Sequence, residues 1–258
     1  MHIFRALLVM VMAIAQVGAA FAPQVLGWSR TVGSSARLYE SPLVPAGYAF
    51  AIWGPLFLGC LFFAIWQMAS PRRRESEVGT VGWLAFGAFT AITVWSVHQP
   101  LFGPGPLSFA VLEVVLLFAF LAALFTRKID DLSIGDRLAV LPLFALAGWL
   151  LVASPGGLSL AMRSVGVEPF LGSLVRESSA LMMVWLVPAS VLAFFARSAA
   201  FLGAVVWGVV AVIVANQGTG ETLFMQVLYL AAGIMTLATV MGILAARRSP
   251  PEAFEESR

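Results

Sequence analysis

Long apolar segments separated by short polar connections run along almost the whole chain. Eight segments come close to the roughly 20 apolar residues that a helix needs to cross a membrane. They cover residues 6–27, 46–69, 78–97, 107–126, 138–153, 178–196, 199–215 and 222–246. All are apolar on every face, whereas barrel strands would alternate, so the pattern favours helices. We expect the fifth to end near Ala153, because the sequence Ser-Pro-Gly-Gly at 154–157 would break it.

The pattern predicts an all-α integral membrane protein, in which a bundle of about eight transmembrane helices forms a single domain over residues 1–246. Residues 247–258 would follow as a short cytoplasmic tail. The composition agrees, since 60% of the residues are hydrophobic and only 11% are charged. Soluble domains have roughly 25% charged residues. Too few polar residues are present to cover a soluble protein of this size, which excludes a soluble enzyme and a disordered chain.

The distribution of basic residues predicts the orientation, because Lys and Arg concentrate in cytoplasmic loops. With the N-terminus and every second loop on one side, that side holds 11 of the 15 basic residues and the other side holds 4. We therefore expect a multi-pass protein of the bacterial inner membrane with both termini in the cytoplasm. Its basic groups would meet membrane lipids rather than nucleic acid. One alternative stays open, because residues 1–22 also have the pattern of a cleavable signal peptide.

The most distinctive motif lies at the start of the second segment. Pro45 is expected in the first helical turn, and four aromatic residues follow it, Tyr48, Phe50, Trp53 and Phe57. Positions 50, 53 and 57 would share one helical face. Such a face suits a flat ligand, although an interfacial aromatic belt or plain helix packing explains it as well.

This motif resembles the signature of the TspO/MBR family, the tryptophan-rich sensory and translocator proteins. Pro45 matches the first proline of that signature, and the four aromatic residues take its aromatic places. Ala46 replaces the second proline, and the spacing from Phe50 to Trp53 is one residue shorter than in short members. Two weaker matches follow in order, Trp95 in the third segment and Trp149 in the fifth. Two asparagines of the family pattern are absent.

The resemblance covers roughly residues 40–160 and implies a TspO-like five-helix core, with the helices of residues 178–246 added to it. It also implies a bound flat hydrophobic ligand, such as a porphyrin or another tetrapyrrole, in a sensing or transport role. We expect no catalysis, since the sequence shows no phosphate loop and no nucleophile–base set. A homo-oligomer stays open. The candidate ligand-binding residues are Pro45, Tyr48, Phe50, Trp53, Phe57, Trp95, His98, Glu113 and Trp149.

Glu113 is a candidate on physical grounds, because an ionisable group two turns inside a membrane helix is costly and normally faces a cavity, a partner or water. It would contact a ligand or carry a proton, or it would only be hydrated near the interface. His98 ends the third segment on the same side, so a Glu113–His98 pair is geometrically feasible. These residues support a second hypothesis, a proton- or ion-coupled transporter. A third hypothesis is a membrane assembly subunit whose aromatic residues only pack.

Overall fold

A computed structural model describes residues 2–218 and 221–248 of the chain, and it is almost entirely helical. Eight long helices, numbered α1 to α8, account for most of it. Their bounds are His2–Val25, Trp53–Ala69, Ser76–Phe102, Pro106–Phe125, Ile134–Ser164, Leu174–Ala196, Ala199–Ala215 and Thr222–Arg248. A short helix, Val32–Ser35, and a 3₁₀ segment, Gly47–Ile52, lie between α1 and α2. Most of the predicted tail, from residue 249 onward, lies outside the described residues.

The prediction of an all-α membrane bundle is confirmed. Within the described part of the chain, seven helices are long and apolar enough to cross a membrane, if the 3₁₀ segment is counted with α2. The eighth, α7, is equally apolar but has only 17 residues. About 20 residues are needed for a full crossing, so α7 would leave one of its ends short of the membrane surface.

The first five helices close a ring in which α1 packs on α3, α3 on α4, α4 on α5, α5 on α2, and α2 on α1. A second ring shares α5 and runs through α7, α8 and α6. Because α5 belongs to both rings, it is the most deeply buried of the membrane-spanning helices. The first five helices thus form a closed ring, in agreement with the five-helix core expected from the family resemblance, and α6 to α8 form a second layer that packs mainly against α5.

Glycines let the helices of the second ring approach closely. A Cβ on Gly148 of α5 would collide with the backbone carbonyl of Phe201 in α7. A Cβ on Gly242 of α8 would likewise collide with the carbonyl of Phe194 in α6. In lipid, helices gain little from burying apolar surface against each other, so such close packing supplies much of the attraction between them.

The expected end of the fifth helix near Ala153 is wrong, because α5 continues through the Ser-Pro-Gly-Gly sequence to Ser164. Pro155 has no N–H to donate to the carbonyl of Leu151 one turn earlier. The indole Nε1 of Trp185, on α6, donates to that carbonyl at 3.1 Å. The neighbouring helix therefore satisfies the group that the proline leaves without a partner, which is how membrane helices tolerate internal prolines.

Candidate functional site

The aromatic motif lies at the junction of the 3₁₀ segment and α2. The expected placement of Pro45 in the first helical turn is wrong, because Pro45 precedes the 3₁₀ segment and the α-helix begins only at Trp53. A 3₁₀-helix has three residues per turn, so Phe50 and Trp53 still fall on one face. Tyr48 points elsewhere and packs edge-on against Trp207 of α7, with ring centroids 5.5 Å apart.

Helix α7 holds the 3₁₀ segment in this geometry from outside the five-helix ring. The backbone N–H of Ala46 donates to the carbonyl of Ala211 at 3.0 Å. The indole Nε1 of Trp207 donates to the carbonyl of Ala49, also at 3.0 Å. These bonds bind two backbone groups at the start of the segment to α7. No local sequence pattern predicts these bonds, since Trp207 lies about 160 positions away and looks like an ordinary apolar helix residue.

A second anchor from α7 holds the loop that precedes the motif. The side-chain amide of Asn216 donates to the carbonyl of Pro42 at 2.8 Å. Asn216 caps the C-terminus of α7, where it also donates to the carbonyl of Val212 in the last turn. Asn216 therefore positions the loop that leads to Pro45.

Trp53 is the centre of an aromatic cluster contributed by three helices and the 3₁₀ segment. Its ring stacks on Phe57 at 5.4 Å between centroids, lies tilted against Trp95 of α3 at 5.9 Å, and meets Trp149 of α5 edge-on at 6.2 Å. Phe50 also meets Trp149 edge-on, at 6.4 Å. Five residues from the predicted set are therefore in contact, although they are spread over about 100 positions of the chain.

Two adjacent cavities border this cluster at the end of the bundle where α1 and α3 end. The first, the inner cavity, has a volume of about 70 Å³ and extends between α3, α4 and α5. Its lining is mostly apolar, and its polar side chains are Gln99 and Ser108, both buried. The hydroxyl of Ser108 donates to the side-chain oxygen of Gln99.

The second cavity, the outer cavity, has a volume of about 690 Å³ and lies between the end of α1, the short helix and the start of α2. It shares Phe50, Trp53 and Trp95 with the inner cavity, so these rings form the wall between the two. Its further polar lining comes from Gln24, Thr31, Ser34, Arg37 and Ser96. Ligand pockets in proteins typically have roughly 300–1,000 Å³, a range that includes the outer cavity and excludes the inner one.

Two tryptophans of the cluster have buried indole N–H groups without an acceptor. Neither Nε1 of Trp53 nor Nε1 of Trp149 has a hydrogen-bond partner among the described residues. Buried donors are almost always paired, and an unpaired one costs about 1–3 kcal/mol. An acceptor supplied by a ligand or a water at the cavity wall would remove this cost.

The structure divides the predicted site residues into two groups. Pro45, Phe50, Trp53, Trp95 and Trp149 line the inner cavity, and Phe57 joins three of them around the outer one. The other three predicted residues, Tyr48, His98 and Glu113, line neither of these two cavities.

Glu113 is half-buried at the interface between α4 and α5. Its carboxylate accepts a hydrogen bond from the hydroxyl of Ser154. His98 packs its ring on Phe102 at 5.0 Å between centroids, and its Nδ1 is buried without a partner among the described residues. The conceivable Glu113–His98 pair is not formed: neither of the two ion pairs found in residues 2–218 and 221–248 involves these side chains.

Sequence reasoning missed several residues of the two cavities. Gln99 and Ser108 follow the third segment and open the fourth, where polar residues look like ordinary loop flanks. Arg37 lies in a polar connection and gave no periodic signal. In the described part of the chain, no group of three or more His, Cys, Asp or Glu side chains is placed to hold a metal ion.

Comparison with known proteins assigns nearly the whole chain to one family. No curated protein and no solved structure matches the chain. The family model described as TSPO-like protein matches residues 2–244, which takes in α1 and α6 to α8 as well as the region of the aromatic motif. With nearly the full length matched, the chain belongs to the TSPO-like protein family.

Proposed function

We propose that this protein binds a flat, largely apolar ligand of the tetrapyrrole type at the outer cavity, in a sensing or transport role and without catalysis. The observation that carries the proposal is the set of rings around Trp53, at the wall of a 690 Å³ cavity. Aromatic rings offer broad rigid surfaces that stack on other π systems at low cost in conformational entropy. A planar macrocycle matches that surface better than a branched aliphatic molecule does.

Polar complementarity supports the same ligand class. The indole N–H groups of Trp53 and Trp149 have no acceptor among the residues that the structure describes, and Trp53 borders both cavities. A ligand that carries oxygen or nitrogen acceptors at its edge would pair with such donors. A small number of polar groups that point into a mostly apolar pocket is typical of sites for small molecules.

The cavity volumes restrict where a ligand of this size would lie. A tetrapyrrole is too large for the 70 Å³ inner cavity, and the 690 Å³ outer cavity is of suitable size. The macrocycle would therefore lie in the outer cavity against the shared wall of Phe50, Trp53 and Trp95. The inner cavity would take a substituent at most.

The test is a titration of the full-length protein in uncharged detergent with protoporphyrin, followed by the Soret band and by tryptophan fluorescence. We expect a saturable Soret shift together with quenching, because three tryptophans lie at the two cavities. A linear, non-saturating response equal to that of empty micelles would refute the proposal. Copurification of a stoichiometric partner without any binding would point to an assembly subunit instead.

A second candidate function, proton- or ion-coupled transport, rests on Glu113. A carboxylate on a membrane helix, hydrogen-bonded to Ser154 of the next helix, is the kind of group that carries protons through membranes. Transport by this route predicts a pH-dependent flux in liposomes that is lost in Glu113→Gln. Flux that persists in this variant with the same pH profile would remove Glu113 from the mechanism.

A further inference from the structure

Arg37 is a charged group at the edge of the outer cavity. It follows the short helix Val32–Ser35, and its side chain is exposed. Among the described residues that line this cavity it is the one with a formal charge. The remaining lining combines neutral polar groups with five aromatic side chains, Phe21, Phe50, Trp53, Phe57 and Trp95. The cavity therefore presents a cation beside a wide aromatic wall.

The position of the guanidinium depends on Gly47, the first residue of the 3₁₀ segment. A Cβ on Gly47 would collide with Nη2 of Arg37, so the absence of a side chain lets the guanidinium lie directly against the backbone. Any larger residue at position 47 would displace it. The guanidinium therefore lies against the segment that carries Phe50, while the side chain remains accessible to solvent.

No acidic side chain in the described part of the chain forms an ion pair with this cation. Across residues 2–218 and 221–248 the ion pairs are Arg72–Glu75 and Arg163–Glu177, and the Arg37 side chain has no hydrogen bond to another described residue. Glu40, the nearest acidic residue along the chain, borders a separate cavity together with Arg163. The donors of the guanidinium are thus available to an anion in the outer cavity.

We propose that Arg37 binds a carboxylate of the ligand, so that the outer cavity selects flat apolar molecules that carry an acidic substituent. This inference rests on the proposed function and specifies the chemical class of its ligand. A guanidinium fork matches a carboxylate with two parallel N–H···O bonds, and such charge-assisted bonds are roughly twice as strong as neutral ones. A macrocycle on the aromatic wall would have its acidic edge at Arg37, towards the cavity mouth.

The experiment compares protoporphyrin, which has two carboxylates, with its dimethyl ester, which keeps the macrocycle and lacks the charge. Both are titrated against the full-length protein and three variants, Arg37→Gln, Arg37→Lys and Arg176→Gln, in maltoside detergent without phosphate. Arg176 is the matched control, since it is exposed on the same predicted outer side and lines neither cavity.

We expect Arg37→Gln to weaken binding of the diacid by about tenfold and to leave binding of the diester unchanged. Arg37→Lys should keep only part of the affinity for the diacid, because it retains the charge but loses the two parallel hydrogen bonds, and Arg176→Gln should match the wild type. Circular dichroism of each variant checks that the helical fold is intact.

Three results would overturn the inference. Equal losses for diacid and diester would make Arg37 a structural residue. Unchanged affinity of Arg37→Gln for both the diacid and the diester would show that Arg37 does not bind the ligand. If less phosphatidylglycerol then copurifies with this variant, the guanidinium binds a lipid headgroup. In both cases the wild type still binds porphyrin, so the proposed function stands. If the wild type binds neither form, the proposed function fails and the inference fails with it.

Discussion

The indole nitrogen of Trp207 lies 3.0 Å from the carbonyl oxygen of Ala49, and this bond joins a helix outside the five-helix ring to the segment that carries the aromatic motif. Ala49 is fully buried, and Phe50 next to it forms part of the wall between the two cavities. The shape of the candidate site therefore depends on α7. Residues of α7 should affect ligand binding without touching the ligand.

The first prediction concerns this bond. Trp207→Phe keeps a ring against Tyr48 and removes the N–H, so the 3₁₀ segment loses one anchor. We expect porphyrin affinity to fall about threefold, since a neutral hydrogen bond contributes roughly 0.5–1.5 kcal/mol. Soret titration measures it. Trp207→Ala, which also removes the ring, should have a larger effect, and unchanged affinity in both variants would show that the anchor is dispensable.

The second prediction concerns Trp53. Trp53→Ala removes the ring that contacts Phe57, Trp95 and Trp149. The macrocycle would lose its stacking contact with this ring, worth about 0.5–1.5 kcal/mol, so we expect porphyrin binding to weaken by roughly threefold to tenfold. The matched control is Trp83→Ala, a half-exposed tryptophan on α3 that lines neither cavity. Equal affinities for the two variants would mean that the aromatic motif only packs the bundle.

The third prediction concerns the stability of α5. Trp185→Phe leaves the carbonyl of Leu151 without a donor, because Pro155 cannot supply one. Hydrogen bonds between membrane helices contribute about 1 kcal/mol, and the midpoint of thermal unfolding should fall by about 2–4 °C. Differential scanning fluorimetry in detergent measures this shift. Trp83→Phe is the control, and if both variants unfold at the same temperature, the bond has no net effect.

The fourth prediction concerns the orientation of the helices. Reporter fusions that end at Gly103, between α3 and α4, and at Asp130, between α4 and α5, should give signals on opposite sides of the membrane. The split of basic residues places Gly103 outside and Asp130 in the cytoplasm. Signals on the same side would mean that α4 does not cross the membrane, and a reversed pair would refute the charge-based orientation.

The apolar pattern was sufficient to predict the bundle, because in lipid a stretch of about 20 apolar residues has few alternatives to a helix. The ends of the helices were harder to predict. The continuation of α5 past Pro155 depends on the indole of Trp185, some 30 positions away, and no local rule contains that information. The 3₁₀ start before Trp53 likewise depends on bonds to α7.

The candidate site could be predicted in part. An aromatic face at positions 50, 53 and 57 follows from helical spacing, and the cluster includes all three residues. Trp95 and Trp149 came from the family resemblance, and both lie against Trp53. The environment of Glu113 depends on how α4 packs against α5. The sequence of α4 by itself does not show which neighbouring helix Glu113 faces. Arg37 was missed because its significance lies in a cavity that only the tertiary structure forms.

The sharing of α5 between two rings limits how this chain could be shortened. Cutting after α5 would leave the ring of α1 to α5 formally complete, yet the carbonyl of Leu151 would face lipid without a donor. Such a group costs several kcal/mol in the bilayer. The carbonyl of Ala49 would lose its indole donor as well. A five-helix version of this chain would therefore need substitutions at Pro155 and around Ala49. Helices α6 to α8 cannot be removed without them.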